Sequence, residues 1–298
     1  MDPKVLIYTI HYKGLDETLK FIESAKNLNY ENFEILVISN SRIESEGETL
    51  NKIKGVHFID NKRNMGCCYP NNQALKFAIK KKCKYIGIFN NDIEFDKDFL
   101  EEIIYRQLQD GKIAASGGKV YDKKRRNYLQ TVARNIVWKL GALKCDVGEA
   151  EDKGQFEDLK EVSYIWGGDI VYRTDLLEGV NGYDEKFFVY YEPLDVELKL
   201  QNKGFNIMYV PKAKVWHKGQ GSLPNPKVYY YYSYRNRMLF MKNCAKFFDK
   251  LIFYPYFYLV AVPAGILKRL VKGDILGAIA TIRGSFDALV GRFGEKQF

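Results

Sequence analysis

Histidine and paired cysteine are what this sequence most lacks. It has 3 histidines in 298 residues, and its 5 cysteines stand at 67, 68, 83, 145 and 244 with no Cys-x-x-Cys pair. A zinc ribbon and a disulfide framework are therefore not expected, and a reducing compartment fits best. No Gly-x-Gly-x-x-Gly run follows the first apolar segment, and no P-loop pattern occurs. Helix-turn-helix, zinc-finger and RNA-recognition signatures are absent as well. Nucleic acid is thus the weakest of the anionic partners that a net charge of +9 suggests; a phosphorylated substrate and an acidic membrane surface remain. The opening residues, MDPKVLIYTIHYKG, have no basic stretch and only a short apolar run, so no signal peptide is expected.

What is present is a stretch around which the rest is organised: Tyr85–Glu94, YIGIFNNDIE. Its apolar half predicts a strand buried on both faces. It ends in Asn90-Asn91-Asp92. In an open α/β sheet ligands bind beyond the carboxyl ends of the strands. A carboxylate there can hold a hard divalent cation together with substrate phosphates, or it can simply belong to a polar turn before a helix. The preceding residues alternate strand and helix. Strands are predicted at Val5–Ile10, Phe33–Ile38 and Val56–Ile59, with helices at Leu15–Leu28, Asn71–Lys82 and about Asp98–Gln109. Such alternation implies βαβ units and an α/β fold with a Rossmann-like mixed, mostly parallel sheet. Right-handed crossovers then bring His11-Tyr12, Ser39-Asn40 and Asn90-Asn91-Asp92 to one cleft. Gly66, with Arg63 and Asn64 before it, precedes a helix and faces the same edge, as a turn or as a phosphate or base contact.

Beyond Ile113 the alternation fades. Lys119–Arg126 is a charge run that predicts a solvated hairpin, and Glu149–Lys160 predicts a surface loop. Gly167-Gly168-Asp169 separates two short apolar runs. Glu192, Pro193, Asp195 and Glu197 open a helix that Gly204 ends. These carboxylates favour the helix dipole, or supply a general base at the cleft mouth. Strands follow at Asn206–Val210 and Lys214–His217. From Leu251 to Leu267 the chain is uncharged, with five aromatics and two prolines, and Lys246, Lys250, Lys268, Arg269 and Lys272 flank it. This is short for a spanning helix, and it reads as an interfacial segment over 251–272 or as helices packed on the main domain. Residues 1–243 are expected to form the nucleotide-binding domain and 244–298 a basic, aromatic helical extension.

Taken together, these segments resemble the family 2 glycosyltransferases, which have the GT-A fold, and within them the rhamnosyltransferase-like branch. The resemblance covers roughly residues 4–243. It rests on His11-Tyr12-Lys13-Gly14 after the first strand, Asn64-Met65-Gly66 with Asn71-Asn72, and Phe89-Asn90-Asn91-Asp92. It rests further on Phe187-Phe188 with Tyr190-Tyr191-Glu192 and Asp195, Val215 with His217 and Ser222, and Tyr234-Arg235-Asn236-Arg237. It implies an inverting transfer of a sugar from a nucleotide sugar to a lipid-linked or polysaccharide acceptor, with Mg²⁺ or Mn²⁺, at the cytoplasmic face of the cell membrane. It implies Asp92 and His217 as metal ligands. His11, Tyr12, Ser39, Asn40, Arg63, Asn64, Gly66, Asn71 and Asn91 would serve the nucleotide. The family usually carries Asp where Ser39 stands. Its catalytic base is the second member of a Glu-Asp pair whose place is taken by Pro193, so the role passes to Asp195 or Glu192, with Asp169 behind them. The alternatives are a synthase that charges polyprenyl phosphate with one sugar, and a catalytically weak, nucleotide-binding relative.

Overall fold

β1 (Val5–His11) lies inside the sheet and is apolar along its length because both faces are covered. Leu6 and Tyr8 point into one core, Val5 and Ile7 into the other. The computed structural model describes residues 2–297 except 133, 146–149, 166–167 and 220–224. After β1 come α1 (Leu15–Lys26), β2 (Phe33–Ser39), α2 (Glu44–Asn51), β3 (Val56–Asp60), α3 (Cys68–Lys80), β4 (Tyr85–Asn90), β5 (Ile93–Phe95) and α4 (Phe99–Gln109). Then follow β6 (Ile113–Asp122), β7 (Tyr128–Thr131), β8 (Arg134–Val137), β9 (Ala142–Cys145), β10 (Ala150–Glu151), β11 (Lys160–Glu161) and β12 (Asp169–Arg173). The chain closes with α5 (Thr174–Gly179), α6 (Glu192–Asn202), β13 (Asn206–His217), α7 (Pro226–Cys244), α8 (Phe247–Tyr256), α9 (Val262–Val271) and α10 (Ile275–Leu289).

The sheet runs β10-β7-β6-β12-β4-β1-β2-β3, with β13 beside β6 and carrying β5 and β11. β1 to β4 are mutually parallel, whereas β12 is antiparallel to β4 and β6. The fold is thus mixed α/β with a parallel centre, as the alternation predicts. Register does the rest: His11 lies opposite Ser39, Ser39 opposite Asp60, and Ile10 opposite Asn90. The carboxyl ends of four strands therefore finish level and frame one cleft. α1 and α4 cover one face, and α3, α6 and α7 the other.

Three expectations change. Lys119–Arg126 is not a solvated hairpin throughout, because Lys119 to Tyr121 are buried within β6. Gly118 lets β13 come so close that a Cβ would collide with the Ala213 carbonyl. The Lys119 ammonium is buried but paired with Asp152 (3.1 Å) and Glu157, which removes the cost of an isolated charge. The strands predicted at Asn206 and Lys214 are one, β13, with an irregular register between Tyr209 and Lys214, around Pro211. The polar helix α2 has no counterpart in the predicted elements; it carries only two buried residues, Gly47 and Leu50. Gly167 of the Gly-Gly-Asp segment, and Gly221 and Ser222 of the later loop, lie outside the described residues.

The segment 186–191, between α5 and α6, is the least relaxed part of the backbone. Phe188, Tyr190 and Tyr191 all have positive φ (64°, 67° and 73°), a conformation that costs side-chain-bearing residues on the order of 1 kcal/mol or more each. α7 holds it. The Asn236 side-chain amide donates to the carbonyls of Phe187 (2.8 Å), Val189 (2.7 Å) and Tyr190 (2.9 Å). Arg235, buried beside it, donates to Lys186 (3.0 Å) and Phe187 (2.9 Å) and reaches Gly294 (2.6 Å). Its guanidinium lies 4.6 Å from the Tyr232 ring centre. Asn236→Ala would strand these carbonyls. A loss of about 3 kcal/mol in urea unfolding is expected, with Asn236→Asp no better because it sets an acceptor against acceptors.

Candidate active site

The cleft has two connected parts. One, about 490 Å³, is walled by Ile10, Tyr12, Lys13, Asn40, Asn64, Gly66 and Cys67 on one side and by Phe188, Val189, Tyr190, Asn225 and Val228 on the other. The second, about 330 Å³, shares Tyr12, Lys13, Asn40 and Asn64 and continues past Ser41, Arg42 and Ile43. The two walls meet at α3. The Phe188 carbonyl accepts from the Cys67 backbone N–H at 2.6 Å, filling the amino end of that helix. Gly66, at φ 72°, makes this approach possible, since a Cβ would strike the same carbonyl.

Of the residues predicted for a nucleotide, Tyr12, Asn40, Asn64 and Gly66 line the cleft. Asn40 Nδ2 donates to the Gly66 carbonyl at 2.7 Å, and Asn64 Oδ1 accepts from the Gly66 N–H at 2.9 Å. Asn91 stands at its edge, its amide on Thr18 Oγ1 (2.9 Å) and the Lys13 carbonyl (3.3 Å). The others sit elsewhere. His11 is buried, with Nδ1 2.9 Å from Thr18 Oγ1 and Nε2 3.1 Å from Glu46 Oε2, so it ties β1 to α1 and α2 from behind. Ser39 is buried and accepts from the Ser41 N–H. Asn71 is buried within α3, and Arg63 points outward toward Glu295 (3.9 Å). Two cations not predicted to serve the nucleotide, Lys13 and Arg42, line the cleft, and they suit a diphosphate.

Asp92 and His217 are brought together by strand pairing. His217 lies opposite Ile93 in the β5–β13 ladder, which sets its Nε2 3.2 Å from Asp92 Oδ1. Gln130 of β7 orients the ring. Its amide nitrogen donates to the His217 carbonyl (3.1 Å) and faces Asp122 Oδ2 (3.4 Å), so its oxygen accepts from Nδ1 (2.8 Å). The proton is thereby assigned to Nδ1. Nε2 and the Asp92 carboxylate are thus held side by side as two donors that one divalent cation can share. No group of three or more His, Cys, Asp or Glu residues forms a metal cluster among the described residues. Two protein donors with open positions fit a Mg²⁺ or Mn²⁺ whose remaining ligands are phosphate and water. Nothing in the sequence pointed to Gln130, which is distant in the chain and lies on a strand not predicted.

The two candidate bases separate. Asp195, ranked first, is fully buried on the far side of α6. It pairs with Lys199 (2.6 Å) and accepts from Asn243 and Cys244 (3.4 Å each), so it fastens α6 to α7 and does not face the cleft. Asp169 is also buried, with Oδ2 3.4 Å from the Gly118 N–H. Glu192 instead lies behind Cys67, a wall residue, and interacts with its thiol. Burial pushes its carboxyl from 4.5 up to about 7, against smaller lowering effects from its own backbone amide and the Cys67 thiol. Its Oε2 has no hydrogen-bond partner among the described residues.

Comparison with known proteins agrees with this architecture. The sequence model described as Glycosyl transferase family 2 matches residues 6–180. A search of curated proteins returns no match. Among solved structures, "GalNAc-T7 with UDP, GalNAc and Mn2+" is similar at TM-score 0.59 and 14% identity over 78% of this chain. This chain spans 48% of that one, about half its length. A mannosyltransferase, PcManGT from Pyrobaculum calidifontis, in complex with GDP-Man and Mn2+, is similar at TM-score 0.56 and 11% identity, covering 97% of this chain and 88% of that one. At these identities the likenesses show the fold.

If Gln130 fixes the ring as described, Gln130→Ala should weaken Mn²⁺ binding about tenfold. Titration followed by Mn²⁺ electron paramagnetic resonance with a nucleoside diphosphate present would measure this, and Asp92→Ala should remove the bound signal.

Proposed function

The chain belongs to glycosyl transferase family 2, and on that premise we propose that it transfers a sugar from a nucleotide sugar to an acceptor hydroxyl with inversion at the anomeric carbon. The observation that carries this reading is Glu192, whose Oε2 has no hydrogen-bond partner among the described residues, behind the cleft wall at Cys67, together with the Asp92–His217 pair next to Asn91, whose amide reaches the carbonyl of the cleft residue Lys13. We place the base and sugar of the donor along Tyr12, Asn40, Arg42 and Asn64, with its diphosphate toward Lys13 and Asp92. The acceptor enters the larger cavity along the Phe188–Tyr190 wall. Glu192 takes the proton of the acceptor hydroxyl. The oxygen attacks the anomeric carbon, and the bond to the diphosphate breaks on the opposite face with its electron pair passing to the phosphate. A Mg²⁺ or Mn²⁺ held by Asp92 and His217 supplies positive charge for that leaving group. UDP and GDP-Man in the two similar structures support a nucleotide-sugar donor.

The acceptor we favour is lipid-linked, assembled at the cytoplasmic face of the cell membrane, and the Phe187–Asp195 and Tyr234–Arg237 runs favour the rhamnosyltransferase-like branch. A nucleotide screen tests the core of this. UDP, GDP, dTDP and CDP are each added with and without Mn²⁺, and the melting temperature is followed. A ligand at about 100 times its Kd adds about 2.7 kcal/mol, so one nucleotide should give a clear Mn²⁺-dependent rise. No rise with any of them would sink the reading.

Glu192→Gln should keep that nucleotide shift and lose about 100-fold or more in transfer rate, whereas Asp195→Asn should lose stability with little loss of turnover. The pH dependence has a definite sign. The folded carboxyl is raised, so the folded state holds the extra proton between pH 4.5 and about 7. Transfer should rise through pH 7 as Glu192 ionises, while stability falls across the same window. Glu192→Gln should flatten the stability change, and an unaltered slope would remove Glu192 as its source.

A further inference from the structure

α10 is packed inside out for a helix in water. The residues it turns toward α7 are small: Gly277, Ala280, Thr281, Gly284, Ser285 and Ala288 are buried. At Gly284 a Cβ would collide with the Tyr231 carbonyl, so the two backbones touch. Its large residues face the other way, with Ile275, Leu276, Ile279, Ile282, Phe286 and Leu289 all exposed. A surface helix in water buries its large apolar residues and shows its polar ones. Small residues inward and large aliphatic ones outward is the packing that lipid favours.

The preceding helix extends this face. α8, a π-helical turn over Phe257–Ala261 and α9 run without a break. Leu251, Leu259, Leu267 and Val271 are exposed and spaced by multiples of four, with Pro255 and Pro263 in the same row. A four-residue row drifts about 40° per step around an α-helix, and the wider π turn takes part of that drift back. α9 packs on α10, so the two exposed rows adjoin. Of the 26 large hydrophobic residues exposed among those described, 16 fall within 247–290. That concentration far exceeds the single scattered residues of an ordinary surface.

Charge selects the occupant. Lys246, Lys268, Lys272, Arg283 and Arg292 are exposed around this face. Two of the nearby acids are engaged inward: Asp274 caps α10 at the Gly277 N–H (2.8 Å), and Asp287 accepts from Tyr231 (2.7 Å) and Lys296 (2.9 Å). A basic rim around a large apolar face complements an anionic lipid surface. By length and composition Phe247–Val271 is able to cross a membrane. Its placement is different, because Phe253, Phe257 and Gly265 are buried on the side toward the catalytic domain. α10, at 15 residues, is about 22 Å long, short of a hydrocarbon core of about 30 Å.

We propose that α8, α9 and α10 form a monotopic dock whose exposed face lies in the headgroup–acyl boundary of an anionic membrane surface. Among the described residues α7 then lies between α10 and the cleft: its far side packs on α10, and its Val228, with Tyr190 edge-on to Tyr229, borders the larger cavity. A lipid-linked acceptor would reach that cavity without its lipid leaving the membrane; this route, unlike the docking itself, rests on the transferase reading above.

Vesicle flotation of the full-length protein tests the dock without donor, acceptor or turnover, so its outcome is separate from that of the transferase reading. Phosphatidylcholine vesicles containing phosphatidylglycerol should carry the protein upward, and phosphatidylcholine alone should carry less. Ile279→Glu with Phe286→Glu should cut the bound fraction at least about tenfold. Lys268→Glu with Lys272→Glu, a surface change that leaves the helices packed, should cut binding to the anionic vesicles several-fold and spare the neutral ones. The melting temperature of each variant controls for folding. Three results would overturn the proposal: wild-type protein that stays with neither vesicle, both variants floating like wild type, or light scattering that shows a dimer dispersed by Ile279→Glu with no flotation.

Discussion

The bond set between Asn236 and the backbone of residues 187–190 is the constraint on which the site depends. The carbonyls of Phe187, Val189 and Tyr190 would not hold their places by local preference, since Phe188, Tyr190 and Tyr191 all sit in a backbone region that side chains disfavour. One amide group on α7 and the guanidinium beside it satisfy them together. The segment then delivers Phe188 to the amino end of α3, Tyr190 to the cavity wall and Glu192 to the start of α6 behind Cys67. A helix outside the sheet thereby shapes one wall of the cleft.

The donor half is built differently, by register. Because β1, β2, β3 and β4 end level, short polar side chains collect at one edge without any long loop to place them. The Asp92–His217 pair follows the same logic on the antiparallel side, where the β5–β13 ladder matches a turn residue to a strand end more than a hundred residues later. Regular hydrogen-bond ladders position such groups more firmly than loops can. Backbone strain is densest on the other side, where Phe188, Tyr190 and Tyr191 fall within four residues.

How much of this was legible in the sequence depends on what kind of fact each was. The four parallel strands and the helices α1, α3 and α4 were readable because each has one strong period and one apolar face. Their convergence at one edge followed from chain handedness. β6 was not readable, because Ala114 to Lys119 includes Ser116, Gly117, Gly118 and a buried lysine, a composition that looks solvated until β12 and β13 are seen pressing on it. His11, Ser39 and Asn71 were placed on the right strands or helix but not in the right direction, since which way a side chain turns is decided by α1, α2 and the neighbouring loop. Asp195 and Glu192 differ by three residues. Less than a turn of helix sends Asp195 to α7 and Glu192 to the back of Cys67, a residue of the cleft wall.

The contact between the Phe188 carbonyl and the Cys67 amide makes one wall serve two substrates. On the proposed reading, the Asn64–Gly66 turn would face the donor and the Phe188–Tyr190 segment the acceptor, and the two share a single seam at the Cys67–Phe188 hydrogen bond. Drift in this lineage that enlarges room for a bulkier sugar must therefore also reshape the opening for the incoming alcohol. On that reading the two specificities would change as a pair, and relatives should differ in both together more often than in either alone.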